Sequence, residues 1–111
     1  MTATEEFEQQ VVEVVGRVVQ VLNPQRIILF GSRAYGRPIA GSDVDLLIVM
    51  DSKERPAARA TRVSRLLRPR PFPMDILVRT PEEIQRRLDI GDQFVREILD
   101  RGRVLYDRDV P

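Results

Sequence analysis

Apolar residues recur at helical spacing over the first 22 positions of the chain. Five of them lie three or four positions apart and share one helical face: Phe7, Val11, Val14, Val18 and Leu22. Most charged side chains fall on the other faces, so the pattern predicts an amphipathic helix over residues 4–22. Asn23-Pro24 ends this helix, because the residue before a proline disfavours helical backbone.

Short apolar runs separated by turn residues predict four strands. They cover residues 26–30, 43–50, 74–79 and 104–106. The second run is apolar without alternation after its acidic start, which indicates a strand covered on both faces. Prolines just before the third run confine that strand to its own six residues, 74–79.

Further helices complete the predicted order of elements. We expect helices over residues 56–67, 81–88 and 92–101, with a brief helix at 32–35 and a loop at 36–41. This order is typical of an α/β or α+β fold in which helices flank a small mixed β-sheet. Phe94 and Tyr106 are expected in the core.

Basic residues dominate positions 53–70, where seven occur beside a single acid. The predicted helix in this region places Arg59, Arg62 and Arg65 opposite its apolar side. We interpret these arginines as a solvated face, with a surface for an acidic partner or RNA as the alternative. Because the chain has six aromatic residues and no evident stacking platform, direct binding of nucleic acid is not expected as its role.

Composition narrows the chemistry that the chain can perform. Its 111 residues predict a single domain over residues 1–111. The absence of cysteine excludes disulfides and thiolate zinc sites, and the absence of histidine removes the commonest general base. Catalysis would therefore use carboxylates, hydroxyls, basic side chains and hard cations. With no membrane-length apolar run and no signal sequence, we expect a cytoplasmic location and no membrane contact.

One short motif combines a glycine-serine turn with two carboxylates. Gly31-Ser32 follows the first predicted strand, and Asp43 and Asp45 begin the second strand ten residues later. Alternate strand residues face the same way, so these carboxylates share one face with Cα atoms roughly 6–7 Å apart. Backbone N–H groups of such a turn can bind a phosphate.

Asp75 is the only acid of the later apolar run 74–79 and the candidate for a third oxygen ligand. An all-oxygen set favours Mg²⁺ or Mn²⁺ over zinc. Each feature also has an ordinary structural explanation: a plain turn, a solvated strand end, or an Asp that caps a strand entrance after Pro73. Their combination favours a site for a cation–nucleotide complex.

The order of a strand, Gly31-Ser32, ten residues, an Asp-x-Asp pair and a later strand with one Asp resembles the DNA polymerase β-like nucleotidyltransferase superfamily. In particular it is similar to the minimal nucleotidyltransferases (MNT). The resemblance covers residues 26–79, and the segment FVREILDRGRVLYD is also similar. It implies the polymerase β-like nucleotidyltransferase fold.

The resemblance also implies roles for the turn residues. Gly31 and Ser32 would hold the β- and γ-phosphates of a nucleoside triphosphate, with ATP as the substrate. Arg33, beside the turn, would steady the leaving group. Tyr35 could lie against the base, but we expect it to pack within its loop.

Three carboxylates carry the implied chemistry, and we call them the acidic triad: Asp43, Asp45 and Asp75. By the resemblance, Asp43 and Asp45 would bind both of two Mg²⁺ ions, with Mn²⁺ as a possible replacement. Asp75 would complete one metal site and help to deprotonate an acceptor hydroxyl. That hydroxyl would attack the α-phosphate and expel pyrophosphate.

Members of the MNT group pair as antitoxins with HEPN-domain toxins. The resemblance therefore implies a protein adenylyltransferase (AMPylator) that transfers AMP from ATP to a tyrosine hydroxyl of a HEPN toxin. Because the chain ends soon after its catalytic strands, a hetero-oligomer or a homodimer is expected to supply the missing wall of the site. Two alternatives remain, namely an antitoxin that masks its toxin by binding alone and nucleotidyl transfer to a small hydroxylated molecule.

Overall fold

The computed structural model describes residues 2–36 and 43–110 of the chain. Within these residues the helices are α1 (Ala3–Leu22), α2 (Pro56–Leu66), α3 (Pro81–Asp89) and α4 (Gln93–Arg101). The strands are β1 (Arg26–Phe30), β2 (Val44–Val49), β3 (Met74–Arg79) and β4 (Arg103–Asp107). These elements agree with the predicted ones to within one residue at each end. Most of the loop predicted at 36–41 lies outside the described residues.

The strands form one mixed sheet in the order β3-β2-β1-β4. β1 is antiparallel to both β2 and β4, whereas β2 and β3 are parallel and joined through α2. Parallel neighbours require such a crossover connection. The predicted α+β class with a small mixed sheet flanked by helices is therefore confirmed.

α1 and α2 pack on one face of the sheet and form the larger of two apolar clusters. Its twelve buried members come from both helices and from alternate positions of β1, β2 and β3, or lie beside these elements. Val18, Ile48 and Val63 are at most 1% exposed. This side supplies most of the apolar burial that stabilises the fold.

α3 and α4 lie on the opposite face, where the packing is thinner. Among the described residues, five buried side chains form this second cluster: Ile28, Phe30, Leu47, Val49 and Ile98. α4 contributes Ile98, whereas α3 contributes no fully buried side chain. The two faces of the sheet are thus unequal, and the open one is the face that carries the candidate site.

Polar caps set the ends of the helices. Thr80 accepts a hydrogen bond from the backbone N–H of Glu83, whose side chain accepts one from the N–H of Thr80, forming a capping box at α3. Asp92 caps α4 through the N–H of Val95. Within the described residues, no helix is long and apolar enough to cross a bilayer.

Three expectations from the sequence are wrong. Residues 32–35 form one hydrogen-bonded turn instead of a helix, with the N–H groups of Ala34 and Tyr35 both donating to the Gly31 carbonyl. Arg59 is 2% exposed instead of solvated, because its guanidinium reaches Glu83 and backbone carbonyls. Phe94 is 54% exposed, because it lies in the first turn of α4 at the rim of the thinner face.

Tyr106, the other aromatic residue expected in the core, is partly buried. It packs against the larger cluster from the edge strand β4. Tyr106 therefore lies against the core as expected. It stays partly exposed because, within the described residues, no further strand covers the β4 edge of the sheet.

Candidate active site

Strand register brings the acidic residues of β2 and β3 together. Asp45 is the direct partner of Asp75 in the parallel pair and of Phe30 in the antiparallel pair. Residues at paired positions of neighbouring strands lie side by side on the same face of the sheet. Asp45 and Asp75 therefore project to the α3–α4 side, beside the end of β1 from which the glycine-serine turn begins.

Gly31 lies directly against the carboxylate of Asp45. Its backbone has a φ of +76°, a left-handed conformation that favours glycine, and a Cβ added there would overlap Oδ2 of Asp45. Gly31 therefore meets two requirements at once: the reversal of the chain after β1 and room for the Asp45 carboxylate. The two halves of the sequence motif are in contact.

The electrostatic environment disfavours the charged form of Asp45. Burial raises the pKa of Asp45 above its ordinary value, and the nearby charges of Asp75 and Asp43 raise this pKa further. Negative groups gathered in this way create a region of negative potential that attracts cations. The site thus carries a cost to stability that a bound cation would offset.

Ser32 and Arg33, which are predicted to hold phosphate, follow Gly31 in the turn, and the side chain of Arg33 packs toward the α1 side of the sheet. Ser32 is exposed, and Asp43 is exposed one residue before β2 begins. The guanidinium carbon of Arg33 lies 4.5 Å from the centroid of the Phe7 ring, which in turn is 5.4 Å from the ring of Phe72. The stack joins the turn to α1 and to the segment that leads into β3.

A second cation–aromatic pair borders the turn on its other side. Tyr35 packs against the α3–α4 cluster instead of within its loop, and its ring lies 4.3 Å from the guanidinium carbon of Arg101. Arg101 also pairs with Glu97 at 2.9 Å. Sequence reasoning missed Arg101, because the contact joins positions 66 residues apart (101 minus 35) and neither belongs to the motif.

The donor chemistry of the acidic triad fits a hard divalent cation, since every candidate ligand is a carboxylate oxygen. Among residues 2–36 and 43–110, however, no three acidic, histidine or cysteine side chains are placed so as to hold an ion as they stand. Binding would require the carboxylates to turn toward one another. The metal-binding roles of Asp43, Asp45 and Asp75 therefore stay predictions.

The structure thus gathers most of the predicted site in one place. Gly31, Asp45 and Asp75 are joined by contact or by register, and the charge of Asp43 reaches Asp45. The phosphate-binding roles of Gly31, Ser32 and Arg33 are not tested by this arrangement and also stay predictions. The arrangement can attract cations and bring an anionic substrate beside a carboxylate that could accept a proton.

Comparison with known proteins assigns the fold to a family. The model of the nucleotidyltransferase domain family matches residues 8–105, which is most of the chain. A crystal structure of an inferred nucleotidyltransferase from Sulfolobus solfataricus superposes with a TM-score of 0.66 at 22% sequence identity. The match covers 92% of this chain and 81% of that one, and it shows a shared fold. No curated protein matches the sequence.

The family match extends from α1 to β4 and so includes the turn, both acidic strands and the helices on both faces. The chain belongs to the nucleotidyltransferase domain family.

Proposed function

We propose that the chain is a Mg²⁺-dependent nucleotidyltransferase that uses ATP and acts at the start of β2 and β3. One observation carries the proposal: Asp45 pairs in register with Asp75 while its carboxylate lies against Gly31 of the preceding turn. This places carboxylates on two strands beside the turn predicted to bind phosphate. Family membership supports nucleotidyl transfer as the reaction class.

Each group has a role in the proposed reaction. Gly31 and Ser32 hold the β- and γ-phosphates of ATP, and Arg33 steadies the departing pyrophosphate. Two divalent cations would be held by Asp43 and Asp45, and Asp75 would complete one of the two metal positions. When bound, the cations supply positive charge to the reacting phosphate oxygens. Asp75 also helps to deprotonate the acceptor hydroxyl.

The proposed acceptor is a tyrosine hydroxyl on a HEPN-domain toxin, which makes the chain an AMP-transferring antitoxin. The resemblance to minimal nucleotidyltransferases supports this choice. The open α3–α4 face, with Phe94 exposed at its rim, leaves space beside the site for such a partner. The proposed assembly is therefore a hetero-oligomer, with a homodimer as the other arrangement that could complete the site.

Transfer of label tests the proposal directly. The chain is incubated with Mg²⁺, ATP labelled at the α-phosphate and the product of the neighbouring gene, and protein-bound label is measured. We expect label on a partner tyrosine, loss of transfer in Asp43→Ala, and full transfer in the control Asp89→Ala at the exposed end of α3. Absence of transfer, or transfer undiminished in Asp43→Ala, would reject the catalytic role.

A further variant separates catalysis from simple masking of a toxin. A chain with all three triad residues changed to asparagine should bind the partner without silencing it. If this variant still neutralised the partner fully, the chain would be a binding antitoxin. Label that appeared only on small hydroxylated molecules would instead identify a small-molecule nucleotidyltransferase.

A further inference from the structure

A cavity of about 240 Å³ lies between the sheet and the α3–α4 pair. Leu47 and Leu77 form its floor, and Phe94 and Ile98 of α4 lie along its wall. The floor residues are register partners on β2 and β3. The cavity exists because α3 contributes no fully buried side chain to this face of the sheet.

The acidic triad does not line the cavity, but two of its members lie two positions before the floor residues on the same strands. Leu47 follows Asp45 by two positions on β2, and Leu77 follows Asp75 by two positions on β3. Residues two apart on a strand share a face and lie roughly 6–7 Å from each other. A group on the cavity floor therefore lies within a side chain's length of both carboxylates.

The far end of the cavity is basic. Arg79 and Arg87 line it there, and both also line an adjoining groove of about 510 Å³ that adds Arg86. An anionic group is therefore favoured at the end of the cavity away from the acidic triad.

Two carboxylates face these arginines, and each already has a partner. Glu83 is bound by the buried guanidinium of Arg59 at 2.6 Å. Asp92 caps α4 and lies 4.0 Å from Arg87. With Arg59 counted, four arginines surround two carboxylates, so this end keeps an excess of positive charge.

The dimensions favour a ring of side-chain size. An apolar cavity of about 150 Å³ accepts a benzene ring, so the present one has room for a phenol. It is smaller than the roughly 300–1,000 Å³ typical of pockets for larger ligands. A phenol lying on Leu47 and Leu77 could place its hydroxyl toward Asp45 and Asp75 while its backbone extended toward the arginines.

We propose that this cavity is the acceptor subsite, and that it selects a tyrosine flanked by acidic residues, with the ring on Leu47 and Leu77 and the flanking acids on Arg79 and Arg87. The inference rests on the proposed function, whose site it extends. In the reaction the phenol oxygen bonds to the α-phosphorus of ATP. The bond from that phosphorus to the bridging oxygen breaks, and pyrophosphate leaves with the electron pair. The phenolic proton passes to the Asp75 carboxylate and then to solvent.

Short peptides test the subsite with two independent readouts. The probes are Glu-Tyr-Glu, Lys-Tyr-Lys and Glu-Phe-Glu. Label transfer from ATP is measured as a rate, and binding without ATP is measured from the methyl resonances of Leu47 and Leu77. We expect Glu-Tyr-Glu to accept label faster than Lys-Tyr-Lys, and both Glu-Tyr-Glu and Glu-Phe-Glu to shift these methyl resonances.

Variants at the basic end separate this subsite from the nucleotide site. Arg87 has a side chain 57% exposed, so Arg87→Gln should fold normally. We expect it to raise the KM for Glu-Tyr-Glu about two- to fivefold, as for loss of one exposed ion pair, and to leave the KM for ATP unchanged. Arg96→Gln, at an exposed position of α4 outside the cavity, is the matched control.

The outcomes distinguish the subsite from the function on which it rests. Transfer to Glu-Tyr-Glu without preference over Lys-Tyr-Lys, or with Arg87→Gln indistinguishable from the control, would overturn the subsite and leave the function standing. An increase in the KM for ATP in Arg87→Gln would also overturn the acceptor subsite, since the cavity would then bind the nucleotide. Methyl shifts with no label transferred to any peptide or to the partner protein would uphold the cavity as a site for an aromatic side chain and reject the proposed function.

Discussion

The two ends of β3 hold carboxylates in opposite electrostatic situations. At its beginning, Asp75 lies beside Asp45, whose pKa is raised by burial and by its acidic neighbours. Just beyond its end, Glu83 accepts hydrogen bonds from Arg59, which lower the pKa of Glu83 to about 2. One end therefore gathers like charges and the other pairs opposite ones.

The ion pair at one end of β3 stabilises the fold, whereas the like charges at the other end do not and fit a functional site. Arg59 binds Glu83 of α3, the carbonyl of Val78 at the end of β3 and the carbonyl of Glu54 before α2, and so ties these elements together. Among the described residues Asp45 makes no comparable link, and its burial beside Asp75 and Asp43 raises its pKa and disfavours its charged form. Residues that lower stability are typical of sites kept for function.

The largest expected effect comes from neutralising the acidic end. Asp45→Asn should lower nucleotidyl transfer by about 10²–10³-fold, because one of the groups that organise charge at the reacting phosphate is lost. Its melting temperature should stay the same or rise, since the variant removes a charge that burial and two neighbours disfavour. Asp89→Asn is the control. A fall in the melting temperature of Asp45→Asn would contradict the claim that the charge of Asp45 is unfavourable in the folded chain.

The paired end should respond in the opposite way. Arg59→Met removes the partner of Glu83 and of the Val78 carbonyl, and should lower the free energy of unfolding by about 3 kcal/mol. Urea titration measures this loss. Arg62→Met on the same helix, where an exposed pair with Glu54 is broken, should cost about 0–1 kcal/mol. Equal losses in the two variants would deny Arg59 its structural role.

Substitution of glycine sharpens the comparison at the acidic end. Gly31→Ala and Gly91→Ala each place a side chain at a φ between +76° and +79°, which should cost about 1–2 kcal/mol in either case. Only Gly31→Ala also displaces the Asp45 carboxylate, since a Cβ at Gly91 meets nothing within 4 Å. Activity per folded molecule should fall about tenfold or more in the first variant alone. Equal activities would mean that Gly31 has no influence on Asp45.

The last prediction concerns the pH dependence of the paired end. Because the pKa of Glu83 is lower in the folded chain, its ion pair stabilises the fold fully above about 4.5 and is lost as the pH falls toward about 2. In Glu83→Gln, the melting temperature should therefore fall less between neutral pH and acid than it does in the unmodified chain. Thermal melts at several pH values measure it. A pH dependence identical to that of the unmodified chain would show that Glu83 is not the titrating group.

Local patterns in the sequence predict most of the fold. Helical spacing identified α1, and the apolar runs identified each strand to within one residue. These elements bury their apolar residues along one stripe or one face, so the pattern and the packing agree. The errors at Arg59 and Phe94 have another origin, because burial there depends on neighbours distant in sequence. Arg59 is buried by a pair with Glu83, 24 positions away.

The candidate site was predictable in its residues but not in its arrangement. The spacing between Gly31-Ser32 and Asp45 identified the motif, and the lone acid of the third run identified Asp75. Their arrangement depends on two strand registers: the β1–β2 register brings Asp45 beside the turn after Phe30, and the β2–β3 register pairs Asp45 with Asp75. Neither register can be deduced from one strand alone. The cavity beside these residues could not be predicted from the sequence, because it depends on the part of the sheet that α3 leaves uncovered.

Binding of ATP with and without Mg²⁺ tests the central claim most directly. The claim is that the acidic end of β2 and β3 holds a cation–nucleotide complex. Calorimetric titration should show that the unmodified chain binds ATP in Mg²⁺ and much more weakly in chelator. The variant with Asp43, Asp45 and Asp75 all changed to asparagine should lose the dependence on Mg²⁺. Equal binding by both proteins, with or without Mg²⁺, would contradict the account.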